Sequence, residues 1–306
     1  MSIRIWLPML LIAALAGAGP AGAVTLNAGD LVVANYGANT VVKVASDGTV
    51  TQIASAGSLS NPTGIAFDTD GAILVANNSN NSLVRIDPGT GAQTTISSGG
   101  SLNRAWGVTL DALGNYYVAN VNTTSITKID RTTHAQSTFF TSALLNEPQG
   151  GLFDASGNYY VVSYGNSRIV KYDGTTATIL AQAGSLNGPQ LMSWDLLGKL
   201  LVGNANGGSI LRIDPSTGAQ TVVSSGLVGP NDAAQKLNGD IFVTIDGGTI
   251  AKIDHTNGAL STFATLGGEP MGILLVAGSP VPEPASVALA GLALALAARR
   301  RRRRPS

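Results

Sequence analysis

The chain has no cysteine. That excludes disulfide staples, thiol catalysis and cysteine-bound metal; a body of about 255 residues buries enough apolar surface without such staples. Histidine is nearly absent too, with only His134 and His255, so imidazole chemistry has two places to reside. Aromatic residues make up 5% of the chain, so the few that fall in loops stand out. The body also lacks a basic surface. Of 18 basic residues, Arg4 and Arg299 to Arg304 lie at the ends, whereas of 18 acids only Glu283 does, so Val24 to Pro280 carries 11 − 17 = −6. Nucleic acid needs a concentrated basic patch and is excluded as a partner. No stretch of the body has a sustained helical period.

The two ends read as targeting segments. Arg4 precedes an apolar run from Ile5 to Ala16, and small residues follow, closing with Ala21-Gly22-Ala23. This is the pattern of a signal peptide cleaved after Ala23, with residues 1–23 removed on export through the secretion machinery. At the other end Pro280, Pro282 and Pro284 make a stiff linker. Ala285 to Ala298 is an apolar helix-forming run, expected to enter the membrane transiently, and Arg299 to Arg304 should stay cytoplasmic. The order of Val281-Pro282-Glu283-Pro284, apolar run and arginine cluster resembles the PEP-CTERM sorting signal. The resemblance covers residues 279–306 and implies an exosortase partner, processing near Pro282, Glu283 and Pro284, and delivery to the outer surface or extracellular matrix of a Gram-negative bacterium.

Between the ends one unit repeats. Its core reads LVVAN ending at Asn35, ILVAN at Asn77, YYVAN at Asn120, YYVVS at Ser163, LLVGN at Asn204 and IFVTI at Ile245. The period of about 42 residues, with strand-like segments punctuated by turns such as Asp70-Gly71 and Asp87-Pro88-Gly89-Thr90-Gly91, predicts four short strands per repeat. The first unit lacks an innermost strand, and Met271-Gly272-Ile273-Leu274-Leu275-Val276 has the pattern of one. Residues 24–278 are therefore expected to form an all-β, six-bladed propeller whose C-terminal strand completes the first blade. The stretch Pro62-Thr63-Gly64-Ile65-Ala66-Phe67-Asp68 through Leu74-Val75-Ala76-Asn77 and Leu83-Val84-Arg85-Ile86-Asp87 resembles NHL-type and streptogramin-lyase-like propellers.

That resemblance places ligands at the mouth of the central channel, built from the loops leading into the innermost strands and the loops between second and third strands. On these loops lie Asn61, Asn103, Glu147, Asn187, Asn231, Asp232 and Glu269. The acids Glu147, Asp232 and Glu269 would suit a divalent cation, calcium or magnesium, through oxygen ligands, or acid–base work; turns also favour Asn, Asp and Pro for their own geometry. Pro230-Asn231 resembles the Pro-Asn-Gly metal ligand of gluconolactonase-like propellers, with Asp232 in place of the glycine. Streptogramin lyases use a mouth histidine as base, whereas His134 and His255 fall on turns between third and fourth strands, away from the mouth. Tyr36 and Tyr164 lie in mouth loops; Trp106 and Trp194 lie near the inner strands, where core packing is the ordinary use. Two functions stay open: a non-catalytic scaffold that binds a polysaccharide or protein, and a metal-dependent lactonase- or lyase-like enzyme.

Overall fold

The computed structural model describes residues 24–277. The signal peptide, the Pro-Glu-Pro linker, the apolar run and the arginine cluster lie outside the described residues. The described chain forms six four-stranded antiparallel sheets. In the second blade the strands are Pro62–Phe67, Ile73–Asn77, Ser82–Ile86 and Gln93–Ser98, each within one residue of the segments that the turn punctuation marks in the sequence, Thr63 to Asp68, Ala72 to Asn77, Ser82 to Asp87 and Ala92 to Ser97. The first blade is closed by Pro270–Leu275, which pairs with Leu31–Asn35 in the register Leu31 to Leu275, Val32 to Leu274 and Val33 to Ile273. The ring is thus fastened by the last strand, as the sequence pattern requires, and Leu31–Asn35 is paired on both sides rather than left as an open edge.

The second strand of each blade explains the repeat. Leu31–Asn35, Ile73–Asn77, Tyr116–Asn120, Tyr159–Ser163 and Leu200–Asn204 are buried at every position. A strand covered on both sides needs a continuous apolar run rather than alternation. The apolar side chains then gather in six clusters, one at each seam between neighbouring blades. The last of these joins Val243's blade to the first through Phe242, Ile250, Leu31, Val33 and Ile273. Tyr117, Tyr159 and Tyr160 are buried in the seams as strand packing.

The innermost strands approach one another closely, and glycine permits it. Gly64, Gly107, Gly150 and Gly272 hold the third position of their strands, with Leu191 and Asp232 in the other two blades. A methyl group on Gly64 would lie 2.6 Å from both Gly107 Cα and Trp106 O. Backbone on a closed ring cannot retreat, so Gly64→Ala should destabilise by about 3 kcal/mol. For a domain of this size that lowers Tm by roughly 6–12 °C, measurable by thermal circular dichroism.

A Lys or Arg, before Ile-Asp at Arg85, Lys128, Arg212 and Lys252, before Tyr-Asp at Lys171 and before Val-Ala at Lys43, sits on the third strand near the face opposite the mouth. Arg85 pairs with Asp68 and Asp70, Arg212 with Asp195, Lys252 with Asp240 at 2.7 Å, and Lys43 with Asp30 at 3.7 Å. In the third and fourth blades, where tyrosine faces it, Lys128 lies 5.8 Å above Tyr117 and Lys171 5.5 Å above Tyr160. These contacts organise blades rather than a site; the carboxylates other than Asp70 are buried and the cations partly exposed, so removing a cation would leave a buried charge unpaired.

Candidate functional site

Strand register brings the two sets of mouth loops together. Pro62 is paired with Asn77, and Asn77 with Ser82, so the start of the first strand, the end of the second and the start of the third share one face. The asparagine that ends the repeat core fastens them. Asn77 Oδ1 accepts the Ser60 N–H at 3.2 Å, and its Nδ2 donates to Ser58 O at 2.9 Å and Ser82 Oγ at 3.1 Å. Asn204 makes the same three bonds with Asn187 N, Ser185 O and Ser209 Oγ. Asn35 accepts from Glu269 N and donates to Gly267 O, and Asn120 accepts from Asn103 N. In the fourth blade Ser163 substitutes, accepting from Asn146 N at 2.7 Å.

Several loop residues expected at the site are absorbed by this scaffolding. Asn61 adopts φ 51°, donates from its side chain to Tyr36 O at 3.2 Å and accepts from Ser79 Oγ at 2.5 Å. Glu147 stands at φ 53°, the left-handed position that Gly188 and Gly229 hold in the next two blades, so a backbone demand places it there. Asn103 and Asn187 are exposed on the loops, and Asn103 accepts from Asn122. Asn231 is buried, donating to Asp246 Oδ1 and Pro270 O, both at 3.1 Å. Glu269 is exposed, and its carboxyl is pushed up first by desolvation and then by the Asp246 charge.

The three carboxylates of the metal hypothesis are not brought together. Asp232 is fully buried, accepting the Ala233 N–H at 2.9 Å and, across the seam, the Ile273 N–H at 3.0 Å. Among the described residues, the group whose carboxylate and imidazole atoms come within 4.8 Å of one another is Asp240, Asp254 and His255, on the opposite face. There Lys252 already neutralises Asp240, and His255 Nδ1 lies 2.9 Å from it. A divalent cation shared by Glu147, Asp232 and Glu269 is not supported by this geometry. His134 and His255 occupy the expected turns, His134 with φ 57° where the second blade has Gly91 at φ 70°.

Burial pushes the Asp232 carboxyl up to about 7, against the lowering effect of its two N–H partners. The folded protein therefore favours the protonated acid. Its contribution to stability is full below the unfolded value near 4 and is lost as pH rises through about 7. The Tm difference between wild type and Asp232→Asn should narrow by several degrees from pH 4 to pH 8. A difference that is flat or widens with pH contradicts this.

The mouth has a second set of residues, which the loops did not announce. Six buried side-chain polar atoms among the described residues have no hydrogen-bond partner: Asn78 Nδ2, Trp106 Nε1, Gln149 Oε1, Asn166 Oδ1, Gln190 Oε1 and Asn231 Oδ1. All six belong to the mouth face. Trp106, Gln149, Gln190 and Asn231 hold the second position of four successive innermost strands; Asn78 and Asn166 lie in the loops after second strands. Leaving such a group unmet costs about 1–3 kcal/mol, and native proteins carry few of them. Thr63, at the same position in the second blade, is instead satisfied by Ala76 O at 3.0 Å and Trp106 O at 2.7 Å. Tyr36 of the first blade reaches within 6.4 Å of the Trp106 ring of the third, the planes tilted by 36°. Those blades are not neighbours, so the two rings meet over the channel. Trp194, by contrast, packs in a seam and donates to Phe153 O at 3.1 Å.

Comparison with known proteins agrees with this architecture. Residues 280–303 match the PEP-CTERM protein-sorting motif, and residues 59–86 match the NHL repeat. The motif marks an exported, envelope-sorted protein processed by an exosortase. A search of curated proteins returns no match. Among solved structures, a chain from a nidogen–laminin complex superposes with a TM-score of 0.71 at 20% identity, covering 82% of this chain and 99% of that one. A streptogramin B lyase superposes at 0.63 and 16% identity, covering 83% and 86%. A catalytically inactive virginiamycin B lyase from Staphylococcus aureus, with quinupristin, superposes at 0.63 and 17% identity, covering 83% and 87%. At such identities the likeness is one of fold.

Proposed function

We propose that this chain is a non-catalytic binding module of the outer surface or extracellular matrix, and that it holds a neutral, hydroxyl-rich polysaccharide at the channel mouth. The observation that carries the reading is the Tyr36–Trp106 pair at the mouth, set among six unmet polar atoms that are enclosed as the side chains stand and would reach a ligand by side-chain rotation. They comprise two donors and four acceptors, all uncharged, and a sugar hydroxyl both donates and accepts. The Tyr36–Trp106 pair offers an apolar face for a pyranose ring. Delivery by the sorting tail brings the propeller to where such polymers are. The two histidines lie on the opposite face, and Glu147, Asp232 and Glu269 do not converge on one point.

The test is a pull-down of extracellular polysaccharide with the purified chain. Wild type should retain polymer, and Gln149→Ala/Gln190→Ala should lose at least tenfold in retention with its fold intact. Equal retention by the double variant would place binding elsewhere, and cleavage of the polymer would overturn the non-catalytic reading.

A further inference from the structure

The face opposite the mouth carries exposed apolar residues that its turns do not require. Leu113, Leu196, Leu197 and Leu237 are 81%, 49%, 69% and 65% exposed, on the turns joining first and second strands in the third, fifth and sixth blades. Val50 and Leu260 begin the outermost strands of the first and sixth blades at the same end, also exposed. In the second and fourth blades the equivalent turns read Asp68-Thr69-Asp70-Gly71 and Asp154-Ala155-Ser156-Gly157, which shows that polar residues serve these turns well. Five of the six apolar residues lie on the fifth, sixth and first blades, which are contiguous in the ring.

The chain also leaves from this face. Pro270–Leu275 runs from the mouth to the far end of the first blade, where Val276 N donates to Asp30 O and Val276 O accepts from Gly29 N, both at 2.8 Å. Seven residues, 278–284, then separate Ala277 from the apolar run Ala285 to Ala298. Three of them are proline, and an extended linker of this length spans about 25 Å. A domain of this size has a radius of gyration of about 18 Å. The tether therefore keeps the exit face close to whatever surface the apolar run enters. It permits tumbling by itself; the leucines select one pose, because that pose removes them from water.

We propose that the far face is a bilayer-docking surface. While the tail is attached, Leu196, Leu197, Leu237, Val50 and Leu260 rest in the lipid headgroup region, and the channel mouth points away from the membrane. The proposal rests on the reading of Ala285 to Ala298 as a membrane segment. On this face Lys252 pairs with Asp240 and Arg85 with Asp68, whereas Asp47, Asp87 and Asp173 stand exposed without a salt bridge among the described residues, so docking draws on apolar transfer and gains nothing from anionic lipid.

The absence of cysteine makes the test direct. The full chain is labelled with a fluorophore at Leu197→Cys, Leu237→Cys or, on a mouth loop, Ser79→Cys, and is incorporated into phosphatidylcholine vesicles with and without phosphatidylglycerol. Labels at 197 and 237 should be at least threefold less accessible to aqueous iodide than the label at 79, and quenched by headgroup-spin-labelled lipid, in both lipid mixtures. Equal iodide access at 197 and 79 in a chain that floats with the vesicles overturns the docking face alone. A chain that does not float overturns the membrane reading of the tail, and the docking proposal with it.

Discussion

A chain ended at Gly268 will not fold cooperatively, whereas one ended at Ala277 will. The difference is the strand Pro270–Leu275. It brings Met271 and Ile273 into nearly complete burial, and Leu274, Leu275 and Val276 into contact with the clusters on both sides of the first blade. At about 1.5–3 kcal/mol for each fully buried side chain, with the half-buried ones giving about half as much, the strand contributes about 5–10 kcal/mol. That is comparable to the whole stability of an ordinary domain. The sixth blade adds three side-chain bonds to its backbone: Asn231 Nδ2 to Pro270 O at 3.1 Å, Thr244 Oγ1 to Met271 O at 2.5 Å, and Asp232 Oδ2 from Ile273 N–H at 3.0 Å. Removing the strand strands those groups in a seam opened to water. Far-ultraviolet circular dichroism should show a broad melt for the shorter chain and a sharp one for the longer. A sharp melt within 5 °C of the longer chain would mean that the ring is held by the other five seams.

Trp106→Ala should weaken polysaccharide binding by about 2 kcal/mol or more, roughly 30-fold, the loss expected of an aromatic anchor at the centre of a site. The ring lies across the mouth from Tyr36 and outside the six seam clusters, so its removal should lower Tm by only a few degrees. That pairing of a large binding effect with a small stability effect separates a ligand anchor from a core residue. Trp194→Ala is the internal control. It removes packing in the seam between the fourth and fifth blades and the bond to Phe153 O, so it should lower Tm more and affinity less. Isothermal titration and thermal melts on the same preparations supply both numbers. A Trp106→Ala variant that loses stability and keeps affinity would assign the residue to the scaffold.

The fold was legible because repetition amplifies weak local signals. One four-stranded unit of short strands is ambiguous, but six copies of a buried Leu/Ile/Tyr-Val core at one spacing are not, and the pattern of Met271 to Val276 disclosed the ring closure. The site was less legible for the same reason. The residues that repeat, such as Asn77 and Asn204, proved to be fasteners. Candidates chosen by loop position, Asn61 and Glu147, are held there by left-handed backbone geometry. The carboxylates of Glu147, Asp232 and Glu269 share a face without sharing a point, because position along a loop does not give direction of a side chain. The informative signal was variation inside the repeat. The residue after the strand-opening Pro or Ala reads Thr63, Trp106, Gln149, Gln190, Asn231 and Met271, between neighbours that stay nearly constant. Only the hydrogen-bond partners around those side chains distinguish Thr63, which is satisfied, from Trp106, Gln149, Gln190 and Asn231, which are not.

The most direct measurement of the central claim is a titration of the purified chain with neutral oligosaccharides, followed by tryptophan fluorescence, with the sugar recovered and analysed afterwards. The account predicts a saturable change that disappears in Trp106→Ala, and a ligand returned chemically intact. No saturable change with any neutral sugar, or a sugar returned cleaved, would contradict it.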